Sequence, residues 1–204
     1  MKKIPTLFVR EFLDNRIVKV TEAVTPGMEW VLNGEGYATV KWDGYCCAII
    51  NGVFYKRYDA KKGKKPPDNA IPCCEPDTVT GHWPHWVQVQ PDNPADRWFI
   101  EALKNRSLDI GSEDGPFGGI MSGTYEAIGP HFQSNPYNLK MDILVRHGMK
   151  PAFAERTFEG IRKWLQEHEE EGIVFWLDGE PRCKIKRTDF GLEWPVRKRT
   201  EACK

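Results

Sequence analysis

Three short segments of this 204-residue chain carry groups that could act on a phosphate. The first is Lys41-Trp42-Asp43-Gly44, in which a lysine ends an alternating run and Asp-Gly supplies a tight turn. A lysine so placed can project its amine into a cleft, and a lysine amine is a nucleophile once its proton is gone. The second is Glu171-Gly172-Ile173-Val174-Phe175, a carboxylate standing just before an apolar strand. The third is Lys184-Ile185-Lys186, where period-two spacing puts both amines on one strand face. Taken singly, each has an ordinary reading: a surface lysine beside a turn, the end of an acidic helix face, an exposed strand face.

Formal net charge is zero and the sequence pI is near 7.0, so the chain as a whole exerts no pull on a polyanion. Charge is nevertheless uneven. Lys56, Arg57, Lys61, Lys62, Lys64 and Lys65 crowd one segment; Lys184, Lys186, Arg187, Arg197, Lys198 and Arg199 crowd another; Glu167 and Glu169 to Glu171 form an acidic run. Local basic patches on a neutral protein suit a phosphate-bearing ligand held at a site, although solvated lysine-rich loops would look the same. No stretch reaches the roughly 18 apolar residues that span a bilayer, and Met1-Lys2-Lys3-Ile4-Pro5 opens no secretory leader, so a cytoplasmic, membrane-free protein is expected. The cysteines, Cys46-Cys47, Cys73-Cys74, Cys183 and Cys203, read as reduced thiols, and Cys73-Cys74 with His82 and His85 matches no zinc spacing.

These residues need a scaffold of strands. Tyr37–Trp42, Tyr45–Ile50 and Val53–Tyr58 read as a meander, the last two joined by an Asn51-Gly52 hairpin turn. Asp59 to Gly81 reads as a long Lys-Pro loop, His85–Gln90 as a strand, and Ala95–Asn105 as a helix entered through Asn93-Pro94. A glycine-rich connection, Ser112 to Gly119, leads to a strand over Ile120–Ile128. Phe158, Ile161, Trp164 and Leu165 share one face of a helix over Phe158–His168, and strands over Gly172–Trp176 and Arg182–Arg187 follow. The expected class is α+β, mainly antiparallel, in a single domain over residues 1–204.

In order and spacing the three segments resemble the motifs of the covalent nucleotidyltransferase superfamily: ATP-dependent DNA ligases, RNA ligases and messenger-RNA capping enzymes. That superfamily carries a KxDG lysine, a motif ending in Glu, then EGxV or EGIV, then KxK. Here stand Lys41-Trp42-Asp43-Gly44, Gly123-Thr124-Tyr125-Glu126, Glu171-Gly172-Ile173-Val174 and Lys184-Ile185-Lys186, with Arg57 soon after the first. The phrases Lys41 to Cys47, Tyr55 to Gly63, Tyr125 to Pro136 and Lys184 to Pro195 are similar to a small family of ATP-dependent 5′-to-3′ RNA ligases with a vertebrate cytosolic member.

The resemblance implies a nucleotidyltransferase (ATP-grasp-like ligase) core with flanking helices. It implies that Lys41 takes AMP from ATP as a lysyl-N-adenylate, that Lys184 and Lys186 hold the α-phosphate and ease pyrophosphate departure, and that Glu171 helps hold Mg2+ (or Mn2+). Arg57 and Glu126 would meet the ribose or nearby phosphate. Ile173, with Phe132 or Tyr137, would flank the adenine, although each fits ordinary core packing equally well. AMP would then pass to an RNA 5′-phosphate and be displaced by a 3′-hydroxyl. Fewer than twenty residues follow Lys186, so no OB-fold domain is expected there, which disfavours a capping enzyme and a self-sufficient DNA ligase. A monomer is expected. The alternatives are a minimal DNA ligase, an AMP-transferring enzyme with a non-RNA acceptor, and a non-catalytic nucleotide- or RNA-binding module.

Overall fold

The computed structural model describes residues 3–13, 16–61, 63–78, 80–105 and 121–196. Its strands are β1 (Phe8–Leu13), β2 (Arg16–Val24), β3 (Tyr37–Lys41), β4 (Tyr45–Ile50), β5 (Val53–Ala60) and β6 (Ile71–Pro72). They continue as β7 (Trp83–Gln88), β8 (Gly123–Ile128), β9 (Ile143–Arg146), β10 (Gly172–Leu177) and β11 (Glu180–Lys186), with helices α1 (Arg97–Lys104) and α2 (Phe158–Glu167). All the strand pairs are antiparallel, and the class is α+β as expected. The chain divides into two compact units, one of Met1–Lys3 and Asp43–Met149, the other of Ile4–Trp42 and Lys150–Lys204. No described helix is long and apolar enough to cross a membrane.

The 43–149 unit is built on a six-stranded sheet in the order β6-β7-β5-β4-β8-β9. Asn51 and Gly52 both take positive φ (51° and 77°), the twist a two-residue hairpin needs to pair Ile50 with Val53. Cys47, Ile49, Phe54, Tyr125, Ala127 and Leu144 face a core that α1 closes with Phe99 and Ala102. The expected helix over Ala95–Asn105 is divided: Pro94–Asp96 forms a 3-10 turn whose Asn93 side chain accepts the Ala95 N–H at 3.0 Å, and the α-helical part starts at Arg97.

The other unit carries the three-stranded sheet β11-β10-β3 and the β1-β2 hairpin. Thr157 caps α2 by accepting the Gly160 N–H at 3.0 Å, and the helix buries Ile161, Trp164 and Leu165 as its periodicity requires. They meet Phe8, Val40, Ile173, Phe175, Cys183 and Ile185 in one apolar cluster. Burial pushes the Cys46 and Cys183 thiols up to about 12, which keeps both protonated and inert.

Several expectations shift. β5 runs on to Ala60, where it pairs with Trp83, so β7 begins two residues earlier than the expected His85. The long Lys-Pro loop is not wholly irregular, because Ile71 and Pro72 pair with Trp86 and His85. The strand expected from Ile120 starts at Gly123, while β1, β2 and β9 were not among the expected elements. Ser112 to Gly119, Lys62, Arg197 to Arg199 and Cys203 lie outside the described residues.

One member of the first basic cluster has a structural task. Lys56 forms an ion pair with Asp96, whose carboxylate is almost wholly buried and also accepts the Gln90 N–H at 2.9 Å. Lys56 therefore ties β5 to the start of α1 and does not stand as a surface cation. Removing one partner of such a pair leaves a buried charge uncompensated. Lys56→Ala is expected to lower unfolding free energy by about 3 kcal/mol in a denaturant titration. An unchanged midpoint would show that the pair contributes nothing net.

Candidate functional site

The central strand β10 sets the geometry. Gly172 stands opposite Lys41 on β3 and opposite Lys186 on β11, so the three share one row and one face of the sheet. The next row on that face is Thr39, Val174 and Lys184. The middle of the first row must be glycine: a Cβ there would run into the Ile185 carbonyl oxygen and stand 3.0 Å from the Lys186 Cα. The opposite face carries Val40, Ile173 and Ile185, packed into the core.

Glu171 enters immediately before this row and is 4% exposed. One of its carboxylate oxygens lies 2.6 Å from the Lys186 amine, and the other bonds the Lys41 amine, which also donates to the Trp42 carbonyl at 3.3 Å. A single buried carboxylate therefore holds two ammonium groups. Lys184 has no ion-pair partner among the described residues; its burial, then the charges of Lys41 and Lys186, lower its pKa from 10.5 to about 8.

The turn after Lys186 fixes the end of β11. Asp189 accepts the Lys186 N–H at 2.9 Å, and the Arg187 N–H bonds the Glu171 carbonyl at 2.9 Å. The Arg187 guanidinium is buried and donates to the carbonyls of Leu165, His168 (2.7 Å) and Glu193 (3.0 Å), taking up carbonyls at the end of α2. Asp189 also receives Arg10 from β1, through Nε at 3.1 Å and Nη2 at 2.8 Å.

Four of the expected site residues, Lys41, Glu171, Lys184 and Lys186, are thus brought together. Ile173 is not with them: it is 0% exposed on the core face, and the apolar side chain on the lysine face is Val174. The cause is register, since the neighbour of an outward Gly172 must point inward.

Arg57, Glu126, Phe132 and Tyr137 belong to the 43–149 unit. Glu126 accepts the Gly44 N–H at 3.1 Å and lies 2.8 Å from His147 Nε2, whose Nδ1 is 3.0 Å from the Thr124 hydroxyl. The Tyr137 hydroxyl accepts the Asp43 N–H at 2.6 Å, so both residues of the Asp-Gly turn are held through their backbone. Arg57 pairs with Asp59 at 2.7 Å. Phe132 is 5% exposed and packs on Phe99 within the core, so it presents no open ring face of the kind expected beside adenine. Gln133, Ser134 and Asn135 follow it with three consecutive positive φ values (46°, 58° and 52°), a run that non-glycine residues adopt only under constraint. Asn135 supplies that constraint through two 2.9 Å bonds to the Leu139 backbone.

Arg10, Asp189 and His147 were not among the expected site residues. Only Asp189 leaves a local sign, an acidic residue three positions after Lys186, whereas Arg10 and His147 are far in sequence from what they touch. No group of three or more His, Cys, Asp or Glu among the described residues could hold a metal by itself. Both Glu171 oxygens are bonded to amines, so magnesium, which commonly takes one or two carboxylates with phosphate oxygens and water, would have to share this carboxylate with Lys41 and Lys186.

No family model matches the chain. It is similar to RNA ligase 1 of Danio rerio, 33% identical over 141 residues, which covers 57% of this chain and 43% of the relative. It is also similar to RNA ligase 1 of Pongo abelii, 27% identical over 142 residues with the same coverage. The chain therefore spans less than half the length of these curated relatives. The resemblance to the RNA ligase family, first read from motifs, is present in the wider sequence too.

Lys184 generates a pH prediction. At neutral pH the group is charged in both folded and unfolded chains, and the folded state alone bears the burial and repulsion. As pH rises through about 8 the folded chain gives up the proton while the unfolded chain keeps it until about 10.5, so that cost is relieved. Lys184→Met should therefore be more stable than the parent at pH 7, by on the order of 2–3 kcal/mol, with the difference shrinking as pH approaches 10. Denaturant unfolding at both pH values checks this, and a pH-independent difference would contradict it.

Proposed function

We propose that this chain is the catalytic core of an ATP-dependent RNA ligase, with Lys41 as the nucleophile that takes AMP from ATP. The observation that carries the reading is the set of amines on one sheet face, Lys41 and Lys186 on the buried Glu171 with Lys184 beside them. Three cations converging on one position suit a polyphosphate, and the likeness to vertebrate RNA ligases directs the acceptor to RNA.

Lys41 must shed its proton before it can attack. The P–N bond to the α-phosphorus forms as the P–O bond to pyrophosphate breaks. The amine gives up one proton before attack and a second as the phosphoramidate forms, with Glu171 the nearest acceptor. Lys186 and Lys184 hold the α-phosphate oxygens and keep them oriented. Magnesium or manganese, held by Glu171 and phosphate oxygens, would neutralise the remaining charge. Val174 takes the place once assigned to Ile173 as the apolar surface for the base. The resemblance would give Glu126 and Arg57 the ribose and nearby phosphate; within its own unit Glu126 secures Gly44.

In the second step AMP passes to an RNA 5′-phosphate; in the third a 3′-hydroxyl displaces it and closes the phosphodiester. A nucleotidyltransferase core acting as a cytoplasmic monomer belongs to the same reading.

The test is transfer of label from α-phosphate-labelled ATP to denatured protein, followed by a chase with 5′-phosphorylated RNA. Wild type should take the label and discharge it into longer or circular RNA; Lys41→Ala should take none. Lys186→Ala should label at least ~100-fold more slowly, the usual loss for one oriented charge at a reacting phosphoryl group. Label persisting on Lys41→Ala protein would sink the assignment of the nucleophile.

A further inference from the structure

Resting on that reading, we infer that Arg10 is a binding residue for the pyrophosphoryl end of the nucleoside triphosphate, the part that leaves when Lys41 attacks. The sheet is what places it. β3, which carries Lys41, lies two strands away from β11, about 10 Å at the usual strand spacing. Along the outer side of β11 runs the N-terminal segment, in a parallel bridge between Thr6 and Lys184. The Lys184 N–H donates to Pro5 at 3.0 Å, and the Leu7 N–H to Lys184 at 2.8 Å. The chain then enters β1 and delivers Arg10 to Asp189, beside the backbone of Lys186.

Lys41 and Lys186 therefore follow one another from β3 to β11, with Lys184 one row along, and Arg10 stands at the turn just past the end of β11, on the side where the N-terminal segment runs. Phosphoryl transfer runs in line, with attacking and leaving groups on opposite sides of the phosphorus. With Lys41 attacking from the β3 side, the leaving pyrophosphate points toward β11 and the N-terminal segment, where Arg10 stands.

The charge balance calls for an anion there. Lys41, Lys184, Lys186 and Arg10 are set against two carboxylates, Glu171 and Asp189. Arg10 is close enough for its charge to oppose that of Lys184. Nε and Nη2 of Arg10 hold Asp189, which orients the guanidinium plane, and the side chain remains 26% exposed. A guanidinium has five N–H donors in a planar fork, so one anchored by two nitrogens still has donors for phosphate oxygens.

The experiment is calorimetric titration of the full chain with inorganic pyrophosphate in magnesium buffer, comparing the parent with Arg10→Gln and Arg10→Lys. Glutamine keeps a donor for Asp189 while removing the charge; lysine restores the charge without the fork. The parent should bind pyrophosphate, Arg10→Gln about tenfold more weakly, as expected for loss of one charge-assisted contact, and Arg10→Lys in between. On protein already labelled at Lys41, Arg10→Gln should need about tenfold more pyrophosphate to return the label as ATP. Its discharge into RNA, a step without pyrophosphate, should keep the parent's rate. Undiminished pyrophosphate binding by Arg10→Gln, no binding by the parent, or an equal loss in the RNA step would overturn the inference. Pyrophosphate binding that depends on Arg10 in a protein that takes no label from ATP would leave this site standing and remove the ligase reading.

Discussion

Lys41 and Lys186 are drawn onto one carboxylate, and that arrangement governs what the surrounding fold must do. Two ammonium groups at such range repel by several kcal/mol in a medium less polarisable than water, so the arrangement holds only if Glu171 stays in place between them. Its placement depends on a strand crossing with no side chain at its centre. Gly172 lets β11 close on β10, and the Arg187 N–H fastens the Glu171 carbonyl from the following turn. The Arg187 side chain in turn takes up the end of α2, the helix whose apolar stripe covers the other face of the sheet. The polar cluster is thus only as rigid as the apolar packing behind it.

That dependence is a property of strands. Because successive side chains alternate, β10 cannot offer Gly172 and Val174 to the lysine face without committing Ile173 and Phe175 to the core, and β11 pairs Lys184 and Lys186 outside with Cys183 and Ile185 inside. A one-residue slip of β10 would bury the polar row and expose the apolar one. The Phe8, Ile161 and Leu165 side chains that anchor the inner face therefore help to set the spacing of amines they never touch.

How much of this could be read in the sequence follows from the range of each interaction. The shared face of Lys184 and Lys186, the Asn51-Gly52 turn and the stripe on α2 are local, and each was legible. Ile173 was misassigned because Glu-Gly-Ile-Val offers two β-branched neighbours, and only pairing with β3 and β11 decides which faces the core. Lys56 reads in the sequence as one more cation of a basic segment, because its partner Asp96 lies forty positions on. Arg10 and Asp189 are separated by 179 positions, and no spacing rule reaches that far. Short β6, paired only at Ile71 and Pro72, has too few residues to show a period.

The division of the chain also has a consequence for the order of events during synthesis. Apart from Met1–Lys3, one unit comes from the single stretch 43–149, whereas the other is assembled from 4–42 and 150–204. Lys41 leaves the ribosome 130 positions ahead of its carboxylate, and Lys184 and Lys186 come later still. Domains generally fold as units while the chain emerges, so the intervening stretch can settle first, and the pairing of β3 with β10 must wait until Gly172–Leu177 has emerged. A nascent chain therefore carries Lys41 without its carboxylate partner, and the cluster of three amines cannot assemble until residue 186 has emerged.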